Sequence, residues 1–275
     1  MRIDMTKVLR VLGGIALFLA PAMAVAQTLP LHVDPGAREE LVDPQTVPAL
    51  RFLTTTDFPP FNYEDTDGAL VGYNVDLAKA ICGVLSARCT IQAWPWERAQ
   101  QALADNQGDA LIAGVAISGA AGERFDFSRI YLQLPARFVT ARGEEGTFDP
   151  GIYRGRIGVR EGSAHADLLA DVRPDLEQMG YPTEFAALEA LAEGEIGAVF
   201  ADGMRASFWL NENADCCAFA GEPYFRPDYF GAGLSIAVPA GLDNVRTALN
   251  WALVRLARDG RMAELYLRWF PVGFY

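Results

Sequence analysis

Asp202 closes the apolar run 198–201 in AVFADG, which sets a carboxylate at the end of a buried strand. A lone anion there is costly unless it caps the following helix or meets a cation from outside the chain. The stretch Gly162-Ser163-Ala164-His165 follows a second apolar strand, residues 156–159, and opens a helix. Free backbone N–H groups and the Ser163 hydroxyl at such a terminus favour a carboxylate. Arg160 and Glu161 sit just before it. No Ser/His/Asp order surrounds His165, and His32 lies far away in the chain, so neither a catalytic triad nor a metal site is expected. Glu161 is the one carboxyl placed for proton transfer, and a solvated turn accounts for it better. The residues offer noncovalent capture of a small charged molecule rather than bond-making.

These side chains need elements to carry them. Residues 51–55 form a strand that enters a Phe-Pro-Pro-Phe turn; a Gly-bearing hairpin follows, and Gly72-Tyr73-Asn74 launches a helix. Leu77, Ile81, Val84 and Leu85 then recur at the spacing of one helix face, with Asn74 as the expected cap and Asp76 complementing the dipole. Apolar runs at 110–115, 156–159 and 198–201 read as buried strands, separated by helical stretches at 97–104, 166–171 and 186–193. This alternation predicts an α/β protein of two doubly wound, mainly parallel-sheet lobes. Residues 136–139 and 234–238 are where the chain is expected to leave one sheet and return to it. Lobe 1 is therefore predicted as 50–141 plus 234–275 and lobe 2 as 142–233, joined by a two-crossing hinge. In such sheets a ligand belongs beyond the carboxyl ends of the strands.

Residues 1–26 read as a secretory signal peptide: Arg2, Lys7 and Arg10 precede an apolar run that ends in Ala24-Val25-Ala26, with cleavage expected after Ala26. Residues 27–49 contain four prolines and no sustained periodicity, which predicts a loosely packed arm. The whole chain carries a net charge of −12. Removing a leader with three positive charges and one negative brings the remaining 249 residues to −14. Lys79 is their only lysine. Such a chain lacks the basic stripe of a nucleic-acid binder and the polybasic patch that meets anionic lipid. Four cysteines in an exported chain permit disulfides. Cys82 falls near the end of the Asn74 helix and Cys89 begins the next strand, so the chain can double back and bring them within bridging range. Adjacent Cys216 and Cys217 leave free thiols, a vicinal bridge and intermolecular pairing all open.

The block RFLTTTDFPPFNYEDTDGALVGYNVDLAKAICGVLSARC, followed by GDALIAGVAISGAAGERFDFS, resembles the amino-acid-binding branch of the bacterial extracellular solute-binding proteins, family 3. Those are receptors that feed ABC importers. The resemblance implies a periplasmic, monomeric protein that takes a small polar solute between two lobes without a cofactor and hands it to an inner-membrane permease. It implies a Cys82–Cys89 disulfide as well. Phe58 and Trp96 match positions where the family sets aromatic rings against the ligand's side chain; core packing is the plain alternative. Asp202 matches the carboxylate that holds the ligand's ammonium, with a helix cap as its alternative.

The chain departs from the family where its carboxylate-binding residue is expected. The arginine that grips the substrate's carboxylate is expected five residues before Asp126, and Ala121 stands there. Gly114 and Ala116 also replace small polar residues. Arg160, where the family lines the pocket, and Arg124, one turn beyond Ala121, are the candidate replacements; pairing of Arg160 with Glu161 or solvent is the competing reading. The departure keeps two other functions in view: an enzyme of the cyclohexadienyl dehydratase kind on the same fold, and a ligandless accessory or sensor protein.

Overall fold

A computed structural model describes Asp43, residues 47–115, Ile117 and residues 119–270. The expected signal peptide and most of the expected arm lie outside those residues. The first lobe opens with β1 (Leu50–Thr54), β2 (Asp57–Phe58), β3 (Asn62–Glu64), β4 (Leu70–Val71), α1 (Tyr73–Leu85) and β5 (Cys89–Ala93). It continues through α2 (Trp96–Ala104), β6 (Ala110–Leu111), α3 (Gly119–Gly122) and β7 (Phe125–Phe127). The second lobe holds β8 (Ala136–Ala141), β9 (Ile157–Arg160), α4 (Ala164–Val172), β10 (Gln178–Tyr181), α5 (Glu184–Ala192), β11 (Ala198–Asp202), α6 (Gly203–Glu212) and β12 (Cys217–Tyr224). After α7 (Pro227–Phe230) the chain returns to the first lobe for β13 (Ala237–Pro239), α8 (Asp243–Arg258) and α9 (Arg261–Trp269).

Each lobe is built on a five-stranded sheet, in the orders β5-β1-β6-β13-β7 and β10-β9-β11-β8-β12. Both are mainly parallel, as expected, with a single strand in each, β13 or β8, running against its two neighbours. Those two strands are the ones beside the crossings. A chain that enters a lobe and leaves it at the same end must run one strand against the rest. This also moves a boundary: β8, expected in lobe 1, pairs with β11 and β12 and so opens lobe 2. Its short apolar-rich run specifies a strand and cannot say which sheet takes it.

The lobe 1 core joins β1, β6 and β13 to α1, α8 and α9 through Phe52, Leu77, Ile81, Leu249, Leu256 and Phe270. Burying one such side chain fully is worth about 1.5–3 kcal/mol. Asn74 does not cap α1, which starts at Tyr73 after Gly72. It lies inside the first turn, fully buried, donating to Asn62 Oδ1 and accepting from the Tyr131 hydroxyl, while Asn62 donates to Thr55. A polar side chain with buried partners on two other segments is worth more there than at a solvated cap. The network ties the Phe58–Phe61 turn to α1.

Cys82 and Cys89 form the expected disulfide, with Cα atoms 6.2 Å apart. Cys216 and Cys217 are bridged to each other. The crossings meet where Leu132 pairs with Leu234, and Gly233 is required there. Its φ is +133°, and a Cβ would lie 2.5 Å from the Leu132 carbonyl oxygen.

Candidate functional site

Asp202 is the last residue of β11 and the N-cap of α6: its Oδ1 accepts from the Arg205 backbone N–H at 3.0 Å. It is 6% exposed. The cap that competed with a ligand role is thus present, yet it satisfies only part of a carboxylate's hydrogen-bonding capacity. Burial first and neighbouring Glu184 second push this carboxyl up to about 7, against the opposing pull of the Arg205 backbone N–H, its guanidinium and the Met204 N–H.

Two further residues join the site, Glu184 and Arg205, for which the sequence raises no expectation. Glu184 enters from the first turn of α5, just past the Thr183 N-cap, where the helix dipole favours an anion. Arg205 lies in the first turn of α6. Their side chains, 6% and 17% exposed, pair at 2.5 Å between Glu184 Oε2 and Arg205 Nε. Both atoms are buried and take no further hydrogen-bond partner among the described residues. The Arg205 guanidinium lies 5.5 Å from the centres of two rings, Phe185 beside it and Phe58 of the other lobe.

Phe58 ends β2 and stacks on Phe61 with centroids 4.7 Å apart. Gly114 makes room for it. At φ +76°, a Cβ on Gly114 would come 2.8 Å from the Phe58 ring edge. The glycine that removes a polar group from this wall is the one that seats the ring. Trp96 opens α2 and is 40% exposed, with no aromatic partner among the described residues.

The α4 end differs from expectation in two ways. The Ser163 hydroxyl is already engaged, donating to the Arg160 carbonyl and accepting from the Ala166 N–H, so it caps the helix instead of reaching outward. His165 turns into lobe 2, stacked on Phe230 at 4.7 Å and edge-on to Phe200. Burial pushes its imidazole down to about 4; Glu184 opposes this, and Arg160 and Arg205 reinforce it. Arg160 is exposed at the carboxyl end of β9 and forms no ion pair among the described residues, with Glu161 or any other carboxylate. Arg124 is committed elsewhere, donating to Gln101 and lying over Phe125. Ala121 falls in the short α3.

Asp202, Glu184, Arg205 and Phe58 therefore meet where the two lobes face each other, beyond the carboxyl end of β11. Arg205 stands three residues after Asp202, a spacing legible in ADGMR. Glu184 gives no local signal, because only the packing of α5 against α6 brings it there.

The family model for bacterial extracellular solute-binding proteins, family 3, matches residues 50–272. A putative ABC transporter arginine-binding protein 2 of Escherichia coli (strain K12) is 31% identical over 221 residues, which is 80% of this chain and 90% of that protein. Among solved structures, the L-cystine solute receptor of Neisseria gonorrhoeae in its unliganded open conformation has a TM-score of 0.73 at 18% identity, covering 84% of this chain and 96% of that one. An ancestral arginine-binding protein bound to arginine has a TM-score of 0.58 at 26% identity, covering 81% and 98%.

Proposed function

Because the chain belongs to the bacterial extracellular solute-binding proteins, family 3, we propose that it is a periplasmic receptor that captures an amino acid or related small polar solute between its lobes and delivers it to an ABC permease. The observation that carries this reading is Asp202, a buried carboxylate at a strand end whose charge is held back by burial and by Glu184. An ammonium ligand supplies the missing cation and makes the ionised form favourable. Phe58 and, on closure, Trp96 would cover the ligand's side chain. Arg160, with no ion pair among the described residues, stands near the start of α4 and would take the carboxylate that Ala121 cannot.

Capture between two lobes requires that they close on the ligand. Closure then means rotation about the two crossings at Leu132 and Leu234, the hinge motion for which periplasmic binding proteins are a standard example. The names of the relatives favour binding over catalysis, and the first 26 residues fit export as a cleaved leader. The experiment is Asp202→Ala with isothermal titration of the solute that co-purifies with the wild-type protein. Affinity should fall by at least tenfold; unchanged affinity would remove Asp202 from the site.

A further inference from the structure

We infer that Arg205 is the specificity-determining residue of this cleft: it fills the cation place over Phe58 from within the chain and selects solutes whose side chain ends in a hydrogen-bond acceptor over those with a cationic side chain. The inference rests on the reading of the cleft given above.

The cation that meets the Phe58 ring from across the cleft is the chain's own guanidinium, 5.5 Å away. Phe185 flanks the guanidinium at the same distance. A cation between two aromatic rings is already in a favourable place, and a second one entering there must displace it. Displacement is doubly costly. Arg205 would lose its ion pair with Glu184, and Glu184, 6% exposed on its side chain, would have to accept the newcomer instead.

An acceptor faces the opposite situation. Glu184 lies against Arg205 Nε, and a guanidinium has five N–H donors in a fixed fork, so the four on its two terminal nitrogens are the ones that can match an amide or carboxylate oxygen. An entering amide or carboxylate oxygen can satisfy donors that Glu184 leaves open, without disturbing the stack on Phe58. The remaining negative charge, at Asp202, serves the ammonium. The cleft therefore has separate places for an ammonium and for an acceptor, and its cation place is taken.

The test is isothermal titration of ligand-stripped, refolded protein with L-glutamine, L-glutamate and L-arginine. The expected result is at least tenfold tighter binding of glutamine or glutamate than of arginine. Arg205→Met, which keeps an unbranched stem for packing but frees Glu184, should shift that ratio at least tenfold toward arginine. Tightest binding of arginine by the wild-type protein would overturn the inference while leaving the receptor reading intact, and so would an unchanged ratio in a folded Arg205→Met. If that variant does not fold, Arg205→Lys serves: a point charge should weaken glutamine binding and keep the ranking, whereas unaltered glutamine affinity overturns the role of the fork. Absence of binding for all three amino acids would overturn the receptor reading together with the inference.

Discussion

Arg205 reaches across the gap between the lobes to set its guanidinium 5.5 Å from the centre of the Phe58 ring, although it starts from the helix that Asp202 caps. The two ends of this contact are anchored differently. Phe58 is fixed by its stack on Phe61 and by the shape of Gly114, whereas the start of α6 is held at the crossing, where the Gly203 N–H donates to the Pro135 carbonyl at 2.7 Å. The contact therefore lies close to the axis about which the lobes would turn.

Gly114→Ala should damage the site more than the fold. An alanine at φ +76° costs about 1–3 kcal/mol of backbone strain, and its Cβ would meet the Phe58 ring at 2.8 Å. The ring must then leave its place beside Gly114. Thermal unfolding should show a modest loss of stability, and titration a larger relative loss of affinity. Full affinity in the folded variant would mean that the Phe58 position is not needed for binding.

The disulfide gives a prediction about lobe 1 alone. Cys82 and Cys89 are seven residues apart, and closing so short a loop is worth about 2.5 kcal/mol on the chain-entropy scale. Replacing both by alanine should lower unfolding free energy by about that amount in urea, with ligand specificity retained. A loss below about 1 kcal/mol would show that the corner is held by the packing of α1 against α8 instead.

What is legible in the sequence follows from range. The α1 face of Leu77, Ile81 and Leu85 is a local pattern, and all three are fully buried. The Cys82–Cys89 corner is local in the same sense. Asp202 stands out because a charge ending an apolar run is visible within six residues. Glu184 does not, because it is an ordinary first-turn acid of α5 until α6 brings Arg205 to it. Asn74 departs from its expected cap role for a related reason: a cap needs only α1, while its actual partners, Asn62 and Tyr131, come from two other segments. The β8 boundary shifts because strand pattern is local and sheet membership is not.

Ligand binding should release protons near neutral pH. Asp202 has its carboxyl raised to about 7 by burial and by Glu184, so at pH 7 a large share of the molecules carry it protonated. An ammonium needs the anion. Titrations in two buffers of different ionisation enthalpy should therefore reveal proton release at about pH 6–7 that fades by about pH 9, and affinity that rises with pH across the same window. Asp202→Asn should abolish the release. Buffer-independent heats throughout would show that Asp202 does not pair with the ligand's cation.

The ligand-free protein should carry two opposing pH dependences, which single substitutions can separate. For Asp202 the folded value, about 7, lies above the ordinary carboxyl value of 3.8, so its contribution is fully present below about 4 and is lost as pH rises through 7. For His165 the folded value, about 4, lies below 6.5, so its contribution is present above that and is lost as pH falls toward 4. Between these limits the slopes partly cancel, and the wild-type melting temperature should change little from about pH 5 to 6. Asp202→Asn keeps a good helix cap and removes the buried charge, so its melting temperature should exceed wild type at about pH 8 and match it near pH 4. His165→Phe keeps an aromatic ring against Phe230 and removes the group that must stay neutral. Its advantage over wild type should therefore grow as pH falls from 6.5 to about 4. Glu184 and Arg205 act on both positions, and Arg160 on His165, so a variant at Glu184 should move both curves at once. If Asp202→Asn instead gains most at low pH, the assignment of the raised carboxyl to Asp202 is wrong.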